Sequence, residues 1–171
     1  MSIENTTSDE KTHLISIDPG INFCGIATID IDDGFKVINS TLIKNARAFT
    51  ADEKITEAAF GPRAVKVGVI VRKLQELIDK HNVKTVVIEA PFYNALTPMA
   101  YGSLLEVIFA IKYTVIIPRG LKFELIEPTL VKKLFANKGY AAKEAMRQFL
   151  IAKKNVGDID LPYEVESLSL S

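Results

Sequence analysis

Two short apolar runs, each followed directly by a carboxylate, constrain this chain most. Residues 14–17 (Leu-Ile-Ser-Ile) precede Asp18, and residues 83–88 (Val-Lys-Thr-Val-Val-Ile) precede Glu89. Short runs rich in β-branched residues are typical of strands buried inside a parallel sheet. Pro-Gly at residues 19–20 ends the first run in a turn, because proline fixes φ and glycine accepts a wide range of backbone angles. The sequence therefore predicts two buried strands that each end in an acid.

The residues between the two runs predict how these strands pair. Residues 24–29 form a second apolar run, and residues 32–34 (Asp-Asp-Gly) are a hairpin signal whose acids are expected in a solvated turn. Residues 35–43 follow as a third, antiparallel strand. Residues 61–82 then carry apolar side chains at helical spacing. Because a crossover helix favours parallel pairing, the two acid-terminated strands are expected side by side, with both carboxylates at one edge of the sheet.

Two neighbouring carboxylates predict a metal site. Ionised carboxylates a few ångströms apart repel unless a cation lies between them. Hard oxygen ligands suit Mg²⁺ or Mn²⁺. The alternative for Asp18 is that it only caps the Pro-Gly turn. A third strand end carries Glu127, but Glu-Pro-Thr also starts a helix well, and we favour a capping role there.

Composition narrows the classes of function. The chain has 171 residues with 21 basic and 21 acidic side chains, which predicts one soluble domain with no overall attraction for nucleic acid. The single cysteine, Cys24, excludes an internal disulfide and is expected to be a small buried residue in a reducing compartment. The sequence contains no run of 18 or more apolar residues, so it predicts no membrane span. We expect a disordered tail at 1–12, a domain at 13–157 and an acidic tail at 158–171.

Local charge and aromatic residues favour a polyanionic partner. Residues 129–154 contain seven lysines and arginines against one acid, Glu144, which is a local charge of +6 in a neutral chain. One-signed charge of this kind is typical of a nucleic-acid footprint, although an ordinary lysine-rich surface is the alternative. Phe92 and Tyr93 follow the second acid in a loop, where they either stack on bases or pack back on the core. The helix expected at 99–117 is apolar nearly all round, which indicates burial in the fold or at a subunit interface.

With these residues in view, the chain resembles RuvC-type Holliday junction resolvases, in a bacteriophage-like branch. The resemblance covers residues 13–154. It rests on Ile-Asp-Pro-Gly at 17–20 with Gly25 after it, on Val-Ile-Glu at 87–89 with Phe92 after it, and on basic motifs at 131–133, 138–139 and 142–144.

The resemblance implies a fold, an activity and a location. The fold would be α/β and ribonuclease H-like, with a mixed central sheet (an antiparallel meander followed by parallel strands) flanked by helices. The activity would be Mg²⁺-dependent nicking of four-way or branched DNA, with Mn²⁺ as a possible substitute, by a homodimer that binds no membrane. The location would be the cytoplasm of a bacterial cell or of a phage-infected host.

The resemblance also implies roles for single residues. Asp18 and Glu89 would be metal ligands and catalytic residues, and Lys143 would be a catalytic basic residue. Phe92 would act at the junction centre, and the apolar helix would lie at or near the dimer interface. The residues expected to bind DNA are Phe92, Tyr93, Lys132, Lys133, Lys138, Lys143 and Arg147.

One family feature has no counterpart in this chain. The family completes its metal site with acids one helical turn apart in an Asp-Ala-x-Asp-Ala-like pattern, and this sequence lacks that pattern. Three explanations stand: a truncated chain, a junction-binding protein without catalysis, or an unorthodox ligand from the acidic tail. A nucleotide-binding relative of actin-like kinases is a further alternative, which the lack of a second Asp-x-Gly turn disfavours. The acids remaining near the end of the chain are Asp158, Asp160, Glu164 and Glu166.

Overall fold

A five-stranded mixed sheet organises the chain in the computed structural model, which describes residues 12–93, 95–96, 98–136, 145 and 148. The strand order across the sheet is β3-β2-β1-β4-β5. Three expected DNA-binding residues and the four tail acids lie outside the described residues: Lys138, Lys143, Arg147, Asp158, Asp160, Glu164 and Glu166. The strands are β1 (His13–Asp18), β2 (Phe23–Asp30), β3 (Lys36–Lys44), β4 (Val83–Glu89) and β5 (Lys122–Ile126).

The pairing predicted from the sequence is confirmed. β1, β2 and β3 form an antiparallel meander, and β1 pairs with β4 in parallel. β5 then adds in parallel to the other side of β4. β1 and β4 are therefore the interior strands on which both acids lie. The helices are α1 (Ala51–Phe60), α2 (Pro62–His81), α3 (Pro98–Ile111), α4 (Ile117–Arg119) and α5 (Pro128–Ala136), with a π-helical turn at Lys112–Ile116 between α3 and α4.

Local chemistry explains where the first two helices begin and end. Thr50 and Glu53 form a capping box at the start of α1, in which each side chain accepts from the other residue's backbone N–H. Pro62 opens α2, where its missing N–H costs nothing, and Asn82 ends it in the left-handed conformation. Together α1 and α2 occupy most of the segment between the meander and β4.

Within the described residues, the main hydrophobic cluster lies on one face of the sheet. Ile15 and Ile17 of β1 are buried against α2 and α3, whose Ile70 and Ile111 are also fully buried. Because strand residues alternate between faces, Ser16 lies on the opposite face from Ile15 and Ile17. Asp18 therefore ends β1 on the face opposite this cluster.

The apolar helix is buried along one side. Val107 and Ile108 belong to the core, whereas Phe109, Tyr113 and Ile117 are more than half exposed. The rings of Phe109 and Tyr113 stack on each other with centroids 6.2 Å apart. By length and composition alone, the segment Pro98–Arg119 could also span a membrane, a test that core helices of soluble proteins pass as well. The expectation that no segment enters a membrane stays a prediction.

Candidate active site

The strand register brings Asp18 and Glu89 together. Ile17 lies opposite Ile88 in the parallel β1–β4 pair, so the next residue of each strand, Asp18 and Glu89, ends it at the same level. Ser16 lies opposite Val87 in the same register. Because alternate strand residues share a face, Asp18 and Glu89 lie on the same face as Ser16 and Val87, opposite Ile15 and Ile17. Asp18 is exposed and Glu89 is half-buried.

The turn after Asp18 requires glycine for a steric reason. A Cβ added to Gly20 would lie 2.2 Å from the carbonyl oxygen of Phe23, which no larger residue can accommodate without moving the backbone. This close approach lets β2 begin at Phe23 and sets Gly25 opposite Asp18. A Cβ on Gly25 would lie 3.6 Å from the Cβ of Asp18, which is an ordinary van der Waals contact.

A buried asparagine ties the same turn to the crossover helix. Asn45 is 2% exposed, and its side-chain nitrogen donates to the carbonyl oxygens of Ile21 (2.9 Å) and Lys66 (3.2 Å). Its backbone N–H donates to the carbonyl of Asn22 at 2.8 Å. The Lys66 ammonium in turn donates to Asn22 Oδ1 at 2.7 Å. These four bonds hold the segment after Asp18 between β3 and α2, and no local sequence signal predicts them.

Cys24 lies beside Asp18 but is not a nucleophile. Its side chain is fully buried, as predicted. Burial raises the pKa of the thiol to about 11; a hydrogen bond from the Gly20 backbone opposes the shift, and the Asp18 charge adds to it. The thiol therefore stays protonated near neutral pH.

The donor set at this edge fits a hard divalent cation. Proteins commonly hold Mg²⁺ through one or two carboxylates, with water and substrate phosphate as the other ligands. Asp18 and Glu89 supply two carboxylates on adjacent strand ends. Within the described residues, no group of three or more His, Cys, Asp or Glu side chains is close enough to form a complete protein cage.

Glu127 lies at the start of α5 and takes part in its first turn. Its backbone carbonyl accepts from the N–H groups of Leu130 (3.0 Å) and Val131 (3.2 Å), as expected of the residue before a helix. Pro128 occupies the first helical position. This geometry agrees with the capping role favoured from the sequence.

The loop after Glu89 exposes two aromatic rings. Phe92 is 64% exposed and Tyr93 is 59% exposed, so neither ring packs into the core. The Tyr93 ring meets Tyr101 edge to face, with centroids 5.5 Å apart. Phe92 is therefore available for contact with a partner, three residues beyond the second acid.

Two of the expected basic residues lie on a helix that starts from the same edge. Ile126 at the end of β5 lies opposite Glu89, and α5 begins two residues later. Lys132 on this helix is half-buried and Lys133 is exposed. Neither lysine forms an ion pair within the part of the chain that the structure describes.

No family model and no curated protein sequence matches this chain. Its fold is nonetheless similar to solved structures. RuvC of Thermus thermophilus in complex with a Holliday junction substrate matches with 20% identity and a TM-score of 0.58, over 89% of this chain and 84% of that one. Another structure of T. thermophilus RuvC matches with 20% identity and a TM-score of 0.56, over the same shares of the two chains. The yeast mitochondrial Holliday junction resolvase Ydc2 matches with 15% identity and a TM-score of 0.55, over 88% of this chain and 66% of that one. The fold is ribonuclease H-like, and the predicted fold class is confirmed.

Proposed function

We propose that this protein is a structure-selective endonuclease that resolves four-way or branched DNA junctions by metal-dependent hydrolysis of phosphodiester bonds. The observation that carries the proposal is the Asp18–Glu89 pair, set at one level on adjacent parallel strands and on one face of the sheet. Support also comes from the fold, which is similar to that of a RuvC solved with a Holliday junction substrate.

The two acids would hold Mg²⁺ or Mn²⁺. The bound ion would supply Lewis-acid activation of water and stabilisation of the leaving oxygen. Asp18 is exposed, so a DNA phosphate can approach the ligands from solvent. The Gly20 turn and the Asn45 bonds limit the movement of Asp18, and a stationary ligand preserves the geometry that hydrolysis needs.

The DNA contacts would lie beside the acids. Phe92 is exposed in the loop after Glu89, where it can stack on bases exposed at a branch point. Lys132 and Lys133 on α5 would neutralise phosphates, which a chain of zero net charge must do through local basic residues. The further contacts proposed are Tyr93, Lys138, Lys143 and Arg147, with Lys143 close to the reacting phosphate.

A homodimer would supply two such sites for two opposed strands. Its interface would include the exposed stripe of Phe109, Tyr113 and Ile117 on the apolar helix, because a symmetric dimer buries the same surface on both copies. The protein would act in the cytoplasm, in a bacterial cell or a phage-infected host.

The test is cleavage of a labelled four-way junction, with linear duplex as control, in Mg²⁺, Mn²⁺ or EDTA. We expect paired nicks that need the metal, no nicks from Asp18→Asn or Glu89→Gln, and junction binding by both variants in a gel shift. Asp33→Asn changes an exposed acid in the β2–β3 turn at the opposite edge and should leave nicking unchanged. Nicking that survives both active-site changes would refute the proposed site. Tight binding by the wild type without nicks in either metal would favour a junction-binding protein that lacks catalysis.

A further inference from the structure

A second aromatic and basic surface lies on the other flank of the acid pair. We propose that Phe23 and Lys44, here called the β2 patch, bind the nucleotide next to the cleaved phosphate, with Phe23 stacked on its base and Lys44 on its backbone. This inference rests on the proposed nuclease function, because the ligand it commits to is the DNA strand held at Asp18 and Glu89.

The register sets Phe23 on the same face as Asp18. Asp18 lies opposite Gly25 in the antiparallel β1–β2 pair, and Phe23 is two residues from Gly25 along β2. Residues two apart share a face, and diagonal neighbours of this kind lie about 7–8 Å apart. That separation is close to the length of one nucleotide, so a strand bound at the acids passes over Phe23.

Phe23 is exposed where a strand residue of its size would normally be covered. It is 43% exposed, although it begins an interior strand of the sheet. The next residue, Cys24, faces the core and is completely buried. An exposed ring beside the proposed metal site suits base stacking, which is tolerant of sequence because every base has a π face.

One basic residue lies beside the ring. Lys44 lies directly opposite Phe23 on β3, so its side chain emerges on the same face at the end of the sheet. Within the described residues Lys44 has no acidic partner, so its charge is available to a phosphate.

The β2 patch and the expected DNA contacts lie on opposite sides of the acids. In the strand order β3-β2-β1-β4-β5, the patch belongs to β2 and β3, whereas Phe92 follows β4 and Lys132 lies on the helix after β5. Five strands span about 19 Å at a spacing of about 4.8 Å. The ends of these strands therefore carry aromatic and basic groups on both sides of the Asp18–Glu89 pair.

The test measures junction binding in Mg²⁺ in a Glu89→Gln background, which prevents cutting. Dissociation constants are measured for Phe23→Ala, Lys44→Ala and their matched controls, Phe35→Ala and Lys84→Ala, which remove an exposed ring and an exposed lysine at the opposite edge. We expect Phe23→Ala to weaken binding about 5-fold or more. Lys44→Ala should lower the salt slope of log Kd by about 1, and neither control should differ from the parent.

The fluorescence of a base analogue distinguishes stacking of Phe23 on a base from a change in the shape of the protein. 2-Aminopurine placed next to the scissile phosphate should be quenched on binding by the parent and by Phe23→Trp, and not by Phe23→Leu, which keeps an apolar residue at the start of β2. Circular dichroism melting confirms that each variant is folded. Lys44→Arg should retain binding and Lys44→Gln should weaken it, because the contact depends on charge; equal binding by the two variants would contradict the contact.

The outcomes separate this inference from the function on which it rests. Wild-type protein that binds and nicks junctions, together with Phe23 and Lys44 variants that behave like their controls, would overturn the β2 patch alone. Failure of every form, wild type included, to bind a junction would overturn the patch and the proposed function together.

Discussion

The side-chain amide of Asn45 donates a 2.9 Å hydrogen bond to the carbonyl of Ile21, three residues after Asp18. The same nitrogen donates to Lys66 in the crossover helix, so one buried group joins the end of β3, the turn after β1 and α2. The position of the first acid therefore depends on a residue 24 places away from its turn.

Asn45→Ala should lower the free energy of unfolding by about 1–3 kcal/mol, because the part-buried carbonyls of Ile21 and Lys66 would lose the hydrogen bonds that Asn45 donates. Urea unfolding followed by circular dichroism measures this change. Asn39→Ala is the control, since Asn39 donates only a 3.3 Å bond to Thr41 on the same strand. Equal midpoints for the two variants would contradict the anchoring role.

Gly20→Ala should destabilise the protein and abolish metal-dependent nicking, because the added Cβ would lie 2.2 Å from the Phe23 carbonyl oxygen. Gly102→Ala is the matched change, since a Cβ there meets nothing within 4 Å inside α3. That substitution should stabilise the helix by about 0.5–1 kcal/mol. Thermal melting compares the two variants, and a Gly20→Ala protein as stable as wild type would contradict the steric argument.

Mg²⁺ should raise the melting temperature of the wild-type protein, since an ion that binds only the folded state stabilises it by mass action. At ten times the dissociation constant the gain is about 1.4 kcal/mol. EDTA should reverse it, and Asp18→Asn and Glu89→Gln should each abolish it. A shift of the same size in both variants would mean that the ion binds elsewhere.

The free energy of unfolding should decrease at acid pH as Glu53 becomes protonated. The Arg47 guanidinium, bonded to both carboxylate oxygens, and the Thr50 backbone N–H lower the pKa of Glu53 to about 2. Because the pKa of Glu53 is lower in the folded state, its ionised form stabilises the protein at pH values above the unfolded-state pKa of about 4.3. This contribution is lost as the pH falls from about 4.3 to about 2. Melting temperatures between pH 2 and 5 should fall less steeply in Glu53→Gln than in wild type. Parallel curves would contradict the assignment.

Tyr113→Glu should convert a dimer into monomers, because it would place a charge in the exposed stripe of the apolar helix, beside Phe109. Light scattering after size-exclusion chromatography gives the mass. Phe60→Glu, at the exposed end of α1, is the control and should leave the mass unchanged. A wild-type monomer at all concentrations would refute the proposed homodimer.

The sequence predicts the sheet well because each strand carries its own local signal. The runs before Asp18 and Glu89 are apolar and β-branched, and the helix between them limits their pairing to a parallel arrangement. The surroundings of Asp18 are less predictable. Asn45 lies in a stretch with mixed local signals, and its bonds to Ile21 and Lys66 exist only once β3 and α2 have docked.

The β2 patch was missed for a similar reason. Phe23 has no distinguishing local pattern, and its neighbourhood becomes visible only through the cross-strand register that pairs it with Lys44. Register depends on turn geometry as well as on apolar pattern, so one residue more in the turn would reverse which side chains share the face of Asp18.

The position of β1 and β4 inside the sheet has a consequence for how the protein loses activity. Both acid-bearing strands are hydrogen-bonded to neighbours on each side, whereas β3 and β5 are edge strands. Interior strands are commonly the last to open, so their amides should exchange with deuterium only through global unfolding. Local opening of the edge strands would leave Asp18 and Glu89 in register. Loss of activity on heating should therefore coincide with cooperative unfolding and should not precede it.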